Sequence, residues 1–387
     1  FLPEDGFFTF GGAFRGGGRV SMDSAGQLGG NLVVELNEGS LRIGDASTRP
    51  VPLSGRLQLD GAANAFIGQF GFADYGGIEA DIRPLSGATP QLRAGLKFRE
   101  LAWLDGASPE VLGIRGRLQG QMQGPLDAAG NLSGSLSAEA LSMELPGMGL
   151  ILREGQVEAR AEDDGVWRLD ASFAAGEGEI GLEGLIGPPG SALLDVRLRG
   201  RSAQLVALPA VSLVGSPELK FARDGEAYRL SGSVHLERGR IDLDRFAPTV
   251  ASSADVVIED APPAPPPAPL AAELAIRIDE AVELRGFGLR GTLSGDLAVR
   301  QRAGRKPRGT GEIQVEGTYR AYGQRLAIER GNLTFSNSLL ENPALDIQAV
   351  RKIDQQRVGV LVRGNARRPL LTLYSDPALD QSEALAY

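Results

Sequence analysis

His235 is the only histidine of the chain, and there is no cysteine. A zinc site draws its ligands from several histidines, cysteines and carboxylates, and none can be assembled around a single imidazole. His235 lies between Val234 and Leu236 on the polar side of an alternating run, so it reads as a solvated strand residue. A Ser-His-Asp triad would need a serine on a strand-to-helix elbow, and no G-x-S-x-G motif supplies one. Carboxylates do pair, at Asp163 with Asp164 and at Asp242 with Asp244. The first pair reads as a turn. The second alternates with Ile241 and Leu243 as if on a strand edge, and acidic clusters of that kind leave a β-solenoid polysaccharide hydrolase as an alternative. Gly11–Gly18, GGAFRGGG, lacks the lysine and hydroxyl residue of a phosphate-gripping loop and reads as a turn. The run RQRAGRKPR, from Arg300 through Arg302, Arg305 and Lys306 to Arg308, reads as a charged hairpin tip with the means to touch lipid phosphates. The expectation is therefore a protein that is not an enzyme, with no catalytic residues, no metal and no cofactor.

The elements that carry these residues are read from the pattern of apolar positions. Leu32, Val34 and Leu36 alternate with other residues. So do Leu57 with Leu59, Leu194, Val196 and Leu198, Val234 with Leu236, and Ile241 with Leu243. Period two marks strands with one apolar face. Runs break at glycines such as Gly55, Gly200, Gly232, Gly239, Gly286, Gly291, Gly311, Gly317 and Gly331, which suggests that strands end and turn there. Helix signals are few: Ser108 before Pro109 and Glu110 suits a single capped turn, and Asp380 with Glu383 opens a capping box near the end. Ala261–Pro269, APPAPPPAP, has no N–H groups to offer a sheet at its prolines and reads as an extended loop. It divides the chain into a repetitive sheet segment, 1–260, the loop, 261–269, and a second sheet segment, 270–387.

The 387 residues include 53 glycines, 42% are hydrophobic and only 6% aromatic, and the formal net charge is -9. Frequent turns and few bulky anchors suit many strands, and an acidic chain lacks the basic face that nucleic acids require. No stretch approaches the ~20 apolar residues of a membrane span. Phe1 begins neither a signal peptide nor an initiator methionine, so the chain reads as an excised piece. A dozen residues per strand and turn gives on the order of 30 strands, and at about 4.8 Å spacing a sheet of roughly 150 Å. The unit Gly232, Val234, Leu236, Gly239, Ile241 resembles Gly311, Ile313, Val315, Gly317, Tyr319, with one residue of slippage. Such loose repetition points to an all-β, elongated, curled sheet, an open solenoid-like groove with an apolar interior. Its apolar wall falls to Leu274, Ile276, Ile278, Ile313, Val315, Leu326, Ile328, Leu333, Phe335, Leu345, Ile347, Val358, Val360, Val362, Leu371 and Leu373. The pattern alone is equally compatible with these residues forming a filled core.

Toward the C-terminus the residues become specific. GTYRAYGQRLAIERGNLTFS from Gly317, ENPALDIQAVR from Glu341, VGVLVRGNARRPLLTLYSDPAL from Val358 and the final SEALAY resemble the TamB family of the translocation and assembly module. SPEVLGIRGRLQGQMQG from Ser108 and SGSVHLERGRIDLDRFAPTV from Ser231 extend the likeness, which covers Leu101 to Tyr387 and is strongest after Gly309. The resemblance implies a taco-shaped sheet with an apolar interior, in a periplasmic protein anchored by an N-terminal inner-membrane helix. It also implies docking on an outer-membrane TamA-like protein, through a segment beyond Tyr387. It further implies a bridge that conducts phospholipids between the membranes, and the sixteen wall residues are then expected to form its lipid-binding groove. The alternative is an assembly factor whose edge strands pair with nascent outer-membrane proteins or autotransporters.

Overall fold

A computed structural model describes residues 8–24, 28–43, 49–85, 88–127, 130–188, 190–224, 227–246, 270–321, 323–353 and 355–376. The protein is all-β. Its described residues form twenty-two strands and two short 3-10 turns. The proline-rich segment Ala261–Pro269 and the capping box at Asp380 lie outside the described residues. The chain divides into two units, Phe1–Arg197 and Leu198–Tyr387.

The first unit is an antiparallel meander. Its strands are β1 (Phe8–Met22), β2 (Leu28–Ile43), β3 (Val51–Asp60), β4 (Ala65–Phe72), β5 (Gly76–Arg83), β6 (Gln91–Phe98), β7 (Leu112–Pro125), β8 (Ser133–Leu145), β9 (Leu150–Ala161), β10 (Trp167–Ala175) and β11 (Gly178–Ile186). Each pairs with the next. The register sets Leu32 opposite Leu59 and Val34 opposite Leu57, so the apolar sides of neighbouring strands coincide. On that face burial is uneven. Leu41, Val51, Phe72, Phe98 and Leu150 are buried near one rim, where Phe72, Phe98 and Trp103 place their rings 5.0 to 5.3 Å apart. Leu59, Phe66, Leu92 and Leu136, farther along the strands, are half-buried.

β12 (Leu194–Arg201) carries the chain into the second unit. There follow β13 (Ala203–Ala207), β14 (Val211–Asp224), β15 (Ala227–Asp242), β16 (Leu270–Gly286), β17 (Leu289–Gln301), β18 (Arg308–Ala321), β19 (Gln324–Leu339), β20 (Ala344–Ile353), β21 (Gln356–Asn365) and β22 (Arg368–Asp376). From β13 each strand again pairs with its successor, antiparallel at every step except β15 with β16, which run parallel. A parallel pair requires the chain to return to its starting edge before the second strand begins.

Several expectations change. Gly232, Gly239, Gly291, Gly311, Gly317 and Gly331 lie inside strands, not at their ends, and the strands are accordingly fewer and longer, up to 17 residues in β16. The reason is local. A Cβ at Gly311 would stand 2.2 Å from the carbonyl oxygen of Asp296 on the neighbouring strand, and its φ of 142° is one that side chains disfavour. Glycine permits a close interstrand approach there without ending the strand. Gly11–Gly18 is likewise no turn but part of β1, paired along its length with β2. Asp244 is not on a strand: Leu243–Phe246 is a 3-10 turn. Ser108 and Glu110 close a turn, with the Glu110 N–H donating to Ser108 Oγ at 3.2 Å, and the nearby 3-10 turn is Ala102–Leu104.

Candidate functional site: an apolar sheet face

The wall residues expected from the sequence fall on one face of the second unit. Leu274 stands opposite Val299, Ile276 opposite Leu297 and Ile278 opposite Gly295; Gly295 and Leu333 flank Ile313, and Leu293 faces Val315. Farther on, Gly311 faces Phe335, Gly317 faces Ile328, Tyr319 faces Leu326, and Leu333 faces Leu345. The row ends with Ile347 opposite Val362, Ala349 opposite Val360, Arg351 opposite Val358, and Leu373 and Leu371 opposite Val360 and Val362. Laterally paired residues project to the same side of a sheet, so the whole set shares one face.

Its members differ in exposure. Ile313, Val315, Leu326, Phe335, Val358 and Val360 are buried. Leu274, Ile276, Ile278, Ile328, Leu333, Leu345, Ile347, Val362 and Leu373 are half-buried, and Leu371 is 64% exposed. A flat single layer would leave every one of them in contact with water. Register shifts between Leu236 and Gly239, Ile278 and Val282, Gln314 and Gly317, and Ile328 and Arg330 mark bulges in the middle of β15, β16, β18 and β19. Bulged strands bend. Along this line of bends Val282, Leu284, Leu293, Ile313, Val315 and Phe335 pack as one cluster, joined by Leu213, Leu236 and Leu243. The apolar face thus folds over its buried members and leaves a half-buried band to either side. Val282, at 0% exposure, and Leu284, Leu293 and Val299 belong to the same wall and escaped the sequence reading. Glycines alternate with leucines on β17, at Gly291 and Gly295, so its apolar period is thinned, though the spacing Leu289, Leu293, Leu297 remains visible.

The polar side chains singled out from the sequence pair locally across strands and in turns. His235 Nε2 lies 2.8 Å from Asp279 Oδ2 across the parallel pair, with both side chains nearly half-exposed. Glu237 accepts hydrogen bonds from Ser216 Oγ at 2.5 Å and Ser202 Oγ at 2.7 Å, which hold its carboxyl below the usual range. Asp163 and Asp164 lie in the β9–β10 turn, and Asp244 Oδ1 accepts the Phe287 N–H at 2.8 Å. The basic run is a hairpin tip between β17 and β18, where Arg300 pairs with Glu273 and Lys306 with Glu341. Among the described residues no group of three His, Cys, Asp or Glu side chains is placed to hold a metal ion. No helix there is long and apolar enough to cross a membrane. A depression of about 1080 Å³ in the first unit lies mainly on the polar face, among Glu35, Arg56, Gln69, Glu79 and Lys97, where Gly71, Gly77 and Gly95 leave the side-chain layer incomplete.

These features define an all-β protein of strands with one apolar and one polar face, whose distinctive surface is a wall of aliphatic side chains. The family model of the TamB C-terminal domain matches residues 168–387, and the chain belongs to the TamB family. It is 25% identical over 291 residues to the translocation and assembly module subunit TamB of Haemophilus influenzae, an alignment that covers 69% of this chain and 22% of that protein. The chain thus spans about a fifth of the length of that curated relative.

Proposed function

We propose that this chain is a segment of a periplasmic bridge that conducts phospholipids between the inner and outer membranes along its apolar sheet face. The longer protein would be held in the inner membrane by a helix and work with an outer-membrane TamA-like partner. The observation that carries the reading is the lateral succession of aliphatic side chains from β14 to β22, interrupted mainly by glycines, with most of the sixteen wall residues within reach of water. Bulk water wets such a surface poorly, and acyl chains match it without any directional bond. Membership of the TamB family supports the same reading. No bond is made or broken: a lipid slides along the wall while its head group stays in water.

Ile276, half-buried between Leu297 and Val234, is the residue on which to test it. Ile276→Asp places a charge on the path but not in the packed line of bends. Lipid transfer between donor and acceptor vesicles should fall at least tenfold while the unfolding midpoint stays closer to wild type than that of Ile313→Asp. Normal transfer by the folded Ile276→Asp protein would overturn the conduit.

A second reading draws on the edges. Among the described strands β1 pairs only with β2, and β22 only with β21, and Phe10, Phe14, Met22, Leu370 and Leu371 stand exposed on them. Edge strands recruit other chains through free backbone groups, which favours assistance to nascent outer-membrane proteins. Proline on β22 would then impair function more than Asp at Ile276.

A further inference from the structure

Charges on the polar face of the second unit are mostly complementary across strands. Arg300 reaches Glu273 at 3.0 Å, Arg277 stands opposite Asp296, Arg240 opposite Glu283, and Asp346 meets Arg330 at 2.9 Å and Arg363 at 3.7 Å. Like charges also stand opposite one another, at Asp296 with Glu312, Arg300 with Arg308 and Arg285 with Arg290, but at one rim they follow one another across adjacent strands. Where β18 turns into β19, Arg320 stands directly opposite Arg325, and where β20 turns into β21, Lys352 stands directly opposite Arg357. Between these hairpins Ala327 pairs with Val350. Arg325 and Lys352 each lie two residues beyond that pair, on the same side and toward the same rim. Four cationic side chains therefore follow one another on adjacent strands at about 4.8 Å per strand.

Like charges directly opposite destabilise a sheet, so a row of four calls for compensation. The compensation present is confined to one end: Arg357 pairs with Glu329, and its Nη1 lies 4.0 Å from Asp376 Oδ2. Among the described residues Arg320, Arg325 and Lys352 have no ion-pair partner, and all three are exposed. On the apolar side of the same strand ends sit Tyr319 and the buried cluster of Leu326, Ala349 and Val360. Arg351, on that side by its register opposite Val358, donates to Gln324 Oε1. On the next hairpin of this rim Phe287 is 65% exposed, its N–H held by Asp244. Cations, an apolar wall and an exposed ring thus meet at one lip.

We propose that this lip binds the phosphate groups of anionic phospholipids, with Arg320, Arg325 and Lys352 gripping the head group while the acyl chains lie on the wall behind them. The inference rests on the conduit reading and adds to it which rim carries the head groups and which lipids are preferred. Guanidinium groups pair with phosphate oxygens through two parallel hydrogen bonds, and three cations facing a lipid surface strengthen binding by roughly a hundredfold.

The test uses the full chain and its R320Q/R325Q/K352Q variant, sedimented with vesicles of phosphatidylglycerol or of phosphatidylcholine. The wild type should prefer phosphatidylglycerol, lose that preference as salt is raised, and lose about a hundredfold in affinity in the variant, whose fold is checked by its unfolding midpoint. Equal binding of phosphatidylglycerol vesicles by variant and wild type would overturn the assignment. So would inorganic phosphate, at the same phosphate concentration, displacing the protein from those vesicles, since a free anion would then suffice. Organic extracts of the purified wild type keep the two proposals apart: absence of acyl lipid there with vesicle binding intact contradicts the conduit and not the lip.

Discussion

At the scale of single residues, polar groups brace the sheet. Ser202 adopts a φ of 44°, a conformation unfavourable for a residue with a side chain, and its N–H donates to Ser216 Oγ at 3.1 Å while its hydroxyl donates to Glu237. The bond requires an ionised Glu237 to be strongest. Its folded-state pKa is lowered, first by the Ser216 hydroxyl and then by that of Ser202. The stability this gives is fully present above the unfolded value of about 4.3 and is lost as pH falls through the lower folded value. Wild type should therefore exceed Glu237→Gln in unfolding midpoint at neutral pH, and the gap should close below about pH 4. A gap that persists unchanged well below that pH would show that the carboxylate charge is not what the serines hold. Sequence reading identifies His235 as a strand residue on the polar face, where it stands, but nothing in the spacing of 44 residues between it and Asp279 announces their contact. That contact depends on a parallel pair between strands far apart in the chain.

Elements are legible to the extent that their apolar period is uninterrupted. Leu274, Ile276 and Ile278 or Val358, Val360 and Val362 alternate without a gap, and the structure sets each trio on one face. Legibility fails where glycine stands in for an apolar residue, because a missing side chain looks like a strand end in the sequence and is a site of close approach in the sheet. Context decides its energetic sign. Gly311 and Gly95 both lie inside strands, yet a Cβ on Gly95 would meet nothing within 4 Å, whereas one on Gly311 would meet the Asp296 carbonyl at 2.2 Å. Gly311→Ala should cost about 2 kcal/mol or more in urea unfolding, from strain and displaced backbone. Gly95→Ala should be neutral or stabilise by up to about 1 kcal/mol through the unfolded state. Equal losses at the two sites would contradict the pairing of Gly311 with Leu297 across β17 and β18. Bulges are the other hidden feature: extra residues at Glu237 and Glu329 leave the local composition unchanged while bending the strands.

For the whole molecule the central claim is that the aliphatic face is a surface and not merely a core. The chain's family membership and its all-β architecture are both readable from its C-terminal motifs and from period two. Which wall residues are accessible is not, since burial depends on how the strands bend and every wall position carries the same residue types. Val315 and Val360 are among the buried ones, whereas Ile276, Leu333 and Ile347 keep contact with water. The most direct measurement places a photo-cross-linking amino acid at Ile276, Leu333 or Ile347 and, on the polar face, at Gln314, in protein isolated from a bacterial periplasm, followed by mass spectrometry of the adducts. Phospholipid adducts at the three wall positions and none at Gln314 are the expected result. Wall positions that yield only protein adducts, or no adduct at all, would contradict the conduit.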